Sequence, residues 1–328
     1  MKIVRVALAV PLPRLFDYFV PDDVSLQIGM RVLVPFGTQK RVAIVADFPT
    51  KSDVPEDKLK AILQPLDLAP LFTPIYWDWL HWAANYYQAG LGDVLFQALP
   101  VKLRNGESAV KNDRTFWRIT DAGKNALEQG ELKRSKKQAE ALQCLSETDL
   151  EKGNNNFSSA IWSALKAKGF IEEITIQTNP LSWQQRLGNN PIVNAENRLT
   201  LNKQQALAFS QLLFHSGFNV WLLDGVTGSG KTEIYLQYIE EILKSGKQVL
   251  VLVPEIGLTP QTVQRFKARF NVEIDVLHSN LTDTQRLYVW DRARSGQSAI
   301  VIGTRSALFT QFSNLGAIIL DEEHDSSY

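Results

Sequence analysis

The sequence predicts a multidomain α/β protein. Its 328 residues, 45% of them hydrophobic, exceed what a single hydrophobic core usually covers. Short β-type runs fill the first part of the chain, whereas apolar runs alternate with helical patterns beyond residue 199. We therefore expect a β domain at 1–108, a small helical domain at 109–178, a linker at 179–198 and an α/β domain with a parallel sheet at 199–328.

The β domain is predicted from four apolar runs that are rich in β-branched and aromatic residues. Proline, aspartate and glycine separate these runs and supply turn chemistry. This alternation is typical of a small antiparallel barrel or sandwich. The runs cover residues 3–10, 16–20, 30–34 and 41–48.

An aromatic-rich helix is predicted after the β-type runs, with Thr73 as its N-cap and Pro74 at its first position. Trp79, Trp82 and Tyr86 recur at helical spacing. Apolar helix faces are usually buried, so we expect these rings to belong to the core rather than to a platform for stacked bases.

The next domain carries three helical patterns followed by a strand-like run at 170–176. This order predicts a winged helix. Its basic residues could face phosphates, and a solvated helix surface explains them equally well, so both readings stay open. They are Lys133, Arg134, Lys136, Lys137, Lys166 and Lys168. The segment 179–198 is polar, with two prolines and several asparagines, and this composition indicates a linker.

A glycine-rich stretch at 225–232 is predicted to bind phosphate. Glycines let backbone N–H groups approach phosphate oxygens where a side chain would block them. Lys231 supplies a positive charge, and the hydroxyl of Thr232 suits Mg²⁺. The residues expected at the nucleotide are Gly225, Thr227, Gly228, Ser229, Gly230, Lys231 and Thr232.

The context of this stretch supports a nucleotide site. An apolar run at 220–223 predicts a strand before the loop, and a helical pattern follows it. Asp321 ends a second apolar strand at 317–320 and can hold the same Mg²⁺. Glu322 beside it suits the orientation of an attacking water. Lys231, Asp321 and Glu322 are therefore the expected catalytic residues, and hydrolysis is favoured over phosphoryl transfer.

Further strands of the α/β domain are expected at 249–253, 274–277 and 299–302. Ligands of parallel sheets bind at the carboxyl ends of the strands. The segments 254–260 and 303–306 follow such ends. In the second of them Thr304 and Arg305 offer a hydroxyl and a cation, which suit a phosphodiester backbone.

Charge and cysteine content exclude few functions. The 35 basic and 35 acidic residues cancel, so net charge neither predicts nor excludes a DNA partner. The single cysteine, Cys144, excludes an internal disulfide and a multi-cysteine zinc site within these residues, which favours the cytoplasm. The sequence has no apolar run of membrane-spanning length, and we expect no membrane partner.

Several long strings resemble the PriA family, the bacterial primosomal proteins N′. Four lie in the α/β domain and three in the β domain, so the resemblance spans nearly the whole chain. The first four cover residues 225–233, 253–261, 302–309 and 321–328. The other three cover residues 11–18, 31–37 and 92–96.

This resemblance implies an ATP-dependent DNA helicase that moves 3′ to 5′ and restarts stalled forks by primosome assembly. It implies ATP and Mg²⁺ as cofactors, branched and single-stranded DNA as substrates, and PriB, DnaT and single-stranded DNA-binding protein as partners. Residues 199–328 would form the first, incomplete RecA-like lobe. The second lobe and the zinc ligands would lie beyond residue 328, so we expect this chain alone to bind DNA and nucleotide without unwinding.

The resemblance also implies residue roles. Gln204 would read adenine, because an amide both donates and accepts hydrogen bonds. Phe16, Asp17, Gly37 and Lys60 would hold the 3′ end of a DNA strand, with a ring for stacking, an acceptor for the hydroxyl and a cation for phosphate.

Three functions remain open from the sequence. The chain belongs to a helicase motor, to a DNA-binding protein that uses nucleotide as a switch, or to a phosphotransferase. Glu322 disfavours the phosphotransferase. Stimulation of ATP turnover by DNA separates the other two.

Overall fold

The computed structural model describes residues 2–109, 113–132, 135–151, 157–177, 180–214 and 217–325. The chain divides into two units. One unit consists of Met1–Ala109 with Leu181–Tyr328, and the other consists of Val110–Pro180.

The N-terminal strands form one antiparallel sheet in the order β2-β1-β4-β3-β5. Alternate side chains point inwards, as the valines of β1 and β3 show, and form a continuous apolar core. The segment before β5 bonds to both β2 and β3: Phe19 N donates to Lys60 O at 3.0 Å, and Leu63 N donates to Leu33 O at 2.8 Å. The sheet thus curls as expected for a small barrel. Its strands are β1 (Lys2–Ala7), β2 (Phe16–Val20), β3 (Arg31–Phe36), β4 (Gln39–Asp47) and β5 (Gln64–Pro65).

Three helices follow: α1 (Pro74–Tyr86), α2 (Leu91–Gln97) and α3 (Val101–Arg104). Thr73 caps α1 as predicted, because its side chain accepts a hydrogen bond from Tyr76 N. The core expectation is wrong for Trp82 and Tyr86, which are 53% and 66% exposed and stack on each other. The buried face of α1 centres on Leu80, and Trp82 lies about 200° around the helix from it.

The unit Val110–Pro180 packs three helices on a three-stranded antiparallel sheet in the order β7-β6-β8. This arrangement agrees with the predicted winged helix. Trp117 and Trp162 stack in its core at 5.8 Å between ring centres. Strand β6 was not predicted. The elements are β6 (Asp113–Ile119), α4 (Asp121–Glu128), α5 (Lys136–Glu147), β7 (Leu150–Glu151), α6 (Ser159–Ala167) and β8 (Ile171–Gln177).

The segment predicted as a linker is instead part of the α/β domain from Leu181 onwards. Within it, α7 (Trp183–Leu187) places Trp183 in the core of that domain, where it is 2% exposed. The backbone N–H of Trp183 donates to Gly296 O at 2.9 Å. The segment is polar on average, but Trp183 and Leu187 are spaced i, i+4 and lie on one face of α7. This face packs against the core of the α/β domain.

The α/β domain contains a parallel sheet in the order β10-β11-β9-β12, as predicted. Strand β9 lies inside the sheet and is buried over its whole length, which explains its unbroken apolar run. The elements are α8 (Lys203–Phe214), α9 (Lys231–Lys244), β9 (Gln248–Leu252), α10 (Pro260–Arg269), β10 (Ile274–Leu277), α11 (Asp283–Arg294), β11 (Ile300–Gly303) and β12 (Leu315–Leu320).

The strand predicted at 220–223 is not formed in the structure, which describes all four of these residues outside any strand. Val220 and Leu222 are 83% and 75% exposed. Among the described residues, β12 pairs on one side only, with β9, and ends the sheet. A four-residue apolar run does not specify its neighbour in a sheet, so the pattern indicated a strand where no pairing is made.

Candidate nucleotide and nucleic-acid sites

The predicted phosphate loop leads directly into α9, which begins at Lys231. Gly228 and Gly230 have φ of +79° and +83°, a left-handed conformation that favours glycine. A Cβ on Gly225 would lie 2.9 Å from Ser229 Oγ. The close turns and the N-terminus of α9 therefore offer backbone N–H groups and a positive helix end to an anion. This chain's loop fits a nucleotide phosphate.

The ammonium of Lys231 lies against the loop itself. Its Nζ donates hydrogen bonds to the carbonyl oxygens of Gly225 and, at 3.3 Å, of Val226. The positive charge of Lys231 therefore lies at the loop.

Tyr235 connects the two residues predicted to hold Mg²⁺. Its hydroxyl donates to Asp321 Oδ2 at 3.0 Å. Tyr235 also lies three residues after Thr232 on the same face of α9, so the strand end that carries Asp321 is held against the helix that begins at the loop. Thr232 and Asp321 are brought together from the start of α9 and the end of β12.

The phenol of Tyr235 is held in its protonated form. Burial raises its pKa, and the negative charge of Asp321 raises it further, although the hydrogen bond from Thr232 acts in the opposite direction. Tyr235 is 9% exposed, and its ring stacks with Phe266 at 6.5 Å between ring centres. Sequence analysis missed Tyr235. Its position three residues after Thr232, on the same helix face, was the available signal.

The acidic pair follows β12 at the carboxyl edge of the sheet. Asp321 N donates to Leu252 O at 2.9 Å, which fixes its backbone to β9. Glu322 is exposed and has φ of +51°, a left-handed conformation that costs a non-glycine residue on the order of 1 kcal/mol. The chain therefore turns at Glu322, directly after the strand that carries Asp321.

The glutamine that reaches the phosphate loop is Gln205, the neighbour of Gln204, which was predicted to read adenine. Gln205 Nε2 donates to Ser229 O at 2.8 Å, whereas Gln204 is an exposed residue of α8. Adjacent helical positions point about 100° apart, so only one of them can face the loop. Gln205 is also fixed by Asn202, with two hydrogen bonds of 2.9 Å in a cap at the start of α8.

Of the two residues predicted to contact DNA in the turn after β11, Arg305 is exposed and Thr304 is buried. Thr304 is 6% exposed and precedes a short 3₁₀ helix, Arg305–Phe309. Arg305 is exposed at the same edge of the sheet as Asp321. The arginine is thus the side chain that a phosphodiester can reach here.

The four residues predicted at a DNA 3′ end line one cavity. This cavity of about 620 Å³ lies on the barrel and contains Phe16, Asp17, Gly37 and Lys60 in its wall. Phe16 contacts Phe36 edge to face, with ring centres 5.2 Å apart. Strand β2 and the segment before β5 bring these residues together from distant parts of the sequence.

Two arginines of the cavity were missed by sequence analysis. Arg5 pairs with Asp17 through hydrogen bonds of 2.7 and 3.0 Å, and Arg14 lies over the ring of Phe16 at 5.0 Å. Burial by itself raises the pKa of Asp17, but hydrogen bonds from Arg5 and Ser52 outweigh it and lower the pKa below its usual value. The cavity therefore combines a fixed carboxylate with cations and an aromatic ring.

Other predicted features fall outside these two sites. In the winged-helix unit Lys166 pairs with Glu173 and Lys168 with Gln138, both at 2.9 Å, while Lys133 and Arg134 lie outside the described residues. Over the part of the chain that the structure describes, no cluster of three metal-ligating side chains is present. The described helices are all too short or too polar to cross a membrane.

Comparison with known proteins gives two matching families. Residues 5–100 match the PriA family described as 3′DNA-binding domain (3′BD), and this range contains the cavity on the barrel. Residues 202–328 match the DEAD/DEAH box helicase family, and this range contains the phosphate loop and Asp321.

Curated relatives match along nearly the whole chain. It is 99% identical over 328 residues to the Replication restart protein PriA of Haemophilus influenzae, covering 100% of this chain and 45% of that protein. It is 33% identical to PriA of Synechocystis sp., covering 98% of this chain and 48% of that protein, and 31% identical to PriA of Bacillus subtilis, covering 96% and 48%. The chain thus spans about half the length of these relatives. On these matches, the chain belongs to the PriA family.

Proposed function

We propose that the protein containing this chain is an ATP-dependent DNA helicase that moves 3′ to 5′ and restarts replication at stalled or branched forks by primosome assembly. The main support is the hydrogen bond from Tyr235 to Asp321, which joins the helix that begins at the phosphate loop to the strand end that carries the acidic pair. A site that holds a cation and a triphosphate between the loop and that strand end needs these two elements side by side.

The roles of the nucleotide-site residues follow from their chemistry. The amides of the loop and Lys231 would bind phosphate oxygens, and Thr232 and Asp321 would hold Mg²⁺, which would supply positive charge against the phosphates. Glu322 orients the attacking water as a general base. Gln205 takes the role first expected of Gln204 and fixes the loop beside the adenine.

The cavity on the barrel is proposed to bind the 3′ end of a DNA strand. Phe16 stacks on the terminal base, which every base allows through its π-face. Asp17 accepts a hydrogen bond from the terminal hydroxyl, and Lys60 and Arg14 attract the backbone. Arg305 supplies a further phosphate contact at the edge of the helicase sheet.

The remaining cofactor, partners and domain limits are proposed from family membership. Zn²⁺ would be held by residues outside this chain, and PriB, DnaT and single-stranded DNA-binding protein would be protein partners. The cytoplasm is the proposed location, in keeping with the single cysteine. The proposed domains are 1–108 for the 3′ end, 109–178 for the winged helix and, with the former linker added, 181–328 for the helicase lobe.

The proposal is tested with Lys231→Ala in the full-length protein. We expect loss of DNA-stimulated ATP hydrolysis with unchanged affinity for a fork, because Lys231 lies at the phosphate loop and the 3′-end cavity lies on the barrel. Lys247→Ala, an exposed lysine just beyond the same helix, is the control and should retain turnover. Unchanged hydrolysis in Lys231→Ala would exclude the assigned site.

The same assay separates a motor from a nucleotide switch. A motor couples ATP turnover to DNA, so wild-type hydrolysis rises when a fork is added. A switch binds nucleotide but shows the same slow turnover with and without DNA. Glu322 beside Asp321 favours the motor, because a switch has no need of a base that activates water.

A further inference from the structure

The strongest unassigned group near the nucleotide site is the hydroxyl of Tyr235. It lies one turn into α9, on the face that carries Thr232. Its ring is buried and stacked on Phe266, so the position of the hydroxyl is fixed by the core and not by solvent. Phenylalanine would pack in this place as well as tyrosine does. Packing therefore does not explain why the ring carries a hydroxyl.

The direction of its hydrogen bonds follows from the groups involved. A carboxylate only accepts, so the phenol donates its single proton to Asp321 Oδ2, at 3.0 Å. Thr232 lies one turn earlier on the same helix face, so the carboxylate that Tyr235 holds lies on the side of α9 that carries the Thr232 hydroxyl.

We infer that Tyr235 is a positioning residue of the nucleotide site, whose hydroxyl holds the Asp321 carboxylate at the helix face that carries Thr232. This inference rests on the proposed function. A cation site with ligands held at the correct spacing binds more tightly, because less ordering is required on binding. Tyr235 thus acts through Asp321 and not by contact with nucleotide or DNA.

The test measures Mg²⁺ dependence of nucleotide binding in the full-length protein. A fluorescent ATP analogue is titrated at several Mg²⁺ concentrations, with chelator for the Mg²⁺-free limit. In Tyr235→Phe we expect the Mg²⁺ concentration at half-effect to rise by about 10- to 100-fold, the loss expected for one hydrogen bond to a charged group that orients a metal ligand. Affinity without Mg²⁺ should stay within about twofold of the wild type, since the loop and Lys231 are untouched.

The matched control is Tyr76→Phe. Tyr76 is also a mostly buried tyrosine, and its hydroxyl donates to Phe309 O at 2.8 Å, away from the phosphate loop. This variant should keep the wild-type Mg²⁺ dependence, and thermal unfolding of both variants checks that neither has lost its fold. A rise in the Mg²⁺ half-effect in Tyr235→Phe alone supports the inference.

An unchanged Mg²⁺ half-effect in Tyr235→Phe would overturn the positioning role and assign the hydroxyl to packing. An equal loss of affinity with and without Mg²⁺ would overturn it too, because it would indicate general damage to the loop. Failure of the proposed function is distinguishable, since the wild type would then show no Mg²⁺-dependent binding and Lys231→Ala would bind the analogue like the wild type.

Discussion

Gln205 donates a 2.8 Å hydrogen bond from Nε2 to the backbone carbonyl of Ser229 in the phosphate loop. Asn202 holds the same side chain through a cap at the start of α8. The loop is thus attached to a helix that precedes it in the sequence, and the shape of the phosphate site depends on that helix.

We predict that Gln205→Ala weakens nucleotide affinity by about 3- to 10-fold, because the loop loses one hydrogen bond that holds its conformation. Gln204→Ala is the matched control, since Gln204 is its exposed neighbour. Titration of a fluorescent nucleotide measures both. Equal nucleotide affinities in the two variants would show that the hydrogen bond from Gln205 does not support the loop.

Phe16→Ala should weaken binding of DNA with a free 3′ end by about 1–3 kcal/mol, the usual value of one base stacked on an aromatic side chain. The ring forms part of the cavity wall and holds Arg14 over its face. Fluorescence anisotropy with two forks, one with a free and one with a blocked 3′ end, measures the effect. A loss of the same size for both forks would contradict end recognition by this ring.

Asp17→Asn should make the free energy of unfolding depend less on pH in the acid range. The pKa of Asp17 is lowered in the folded protein, so its charge stabilises the fold above the unfolded-state pKa of about 3.9. This contribution is lost as the pH falls through the lower folded value. Urea unfolding between about pH 6 and pH 3 should show a smaller decline for Asp17→Asn than for the wild type.

The control for this pH series is Asp57→Asn, because Asp57 is an exposed aspartate of the same barrel. It should follow the wild-type curve. A decline in Asp17→Asn as steep as in the wild type would show that the pair of Arg5 and Asp17 does not stabilise the fold through charge.

Trp183→Ala should destabilise the protein by about 3–5 kcal/mol, because its buried indole belongs to the core of the α/β domain. Trp82→Ala is the comparison and should cost less than about 1 kcal/mol, since that indole is largely exposed. Urea unfolding measures both. Equal small effects would mean that residues 181–198 behave as the linker first predicted.

The phosphate loop was predictable because its chemistry is local. Glycines with positive φ, a lysine and a threonine must follow one another in the chain, so a short string specifies the site. The parallel sheet was predictable for a similar reason, since β9 is buried on both faces and reads as a continuous apolar run.

Features that depend on distant partners were not predictable. The run at 220–223 has the composition of a strand but pairs with no strand of the sheet. Trp183 is buried in a core whose other side chains come from distant segments of the sequence. Arg5 lies in the cavity because the pairing of β1 with β2 sets it opposite Asp17, and Arg14 lies there over the ring of Phe16. Tyr235 meets Asp321 across 86 residues of sequence, and no spacing rule specifies that contact.

The most direct test of the nucleotide site is the Mg²⁺ dependence of ATP affinity in wild type and Asp321→Asn. We expect Mg²⁺ to strengthen ATP binding to the wild type and to have little effect on Asp321→Asn, because the carboxylate that shares the cation with Thr232 is then neutral. The same Mg²⁺-dependent gain in both proteins would contradict the assignment of Asp321 to the cation and, with it, the shared site between the phosphate loop and β12.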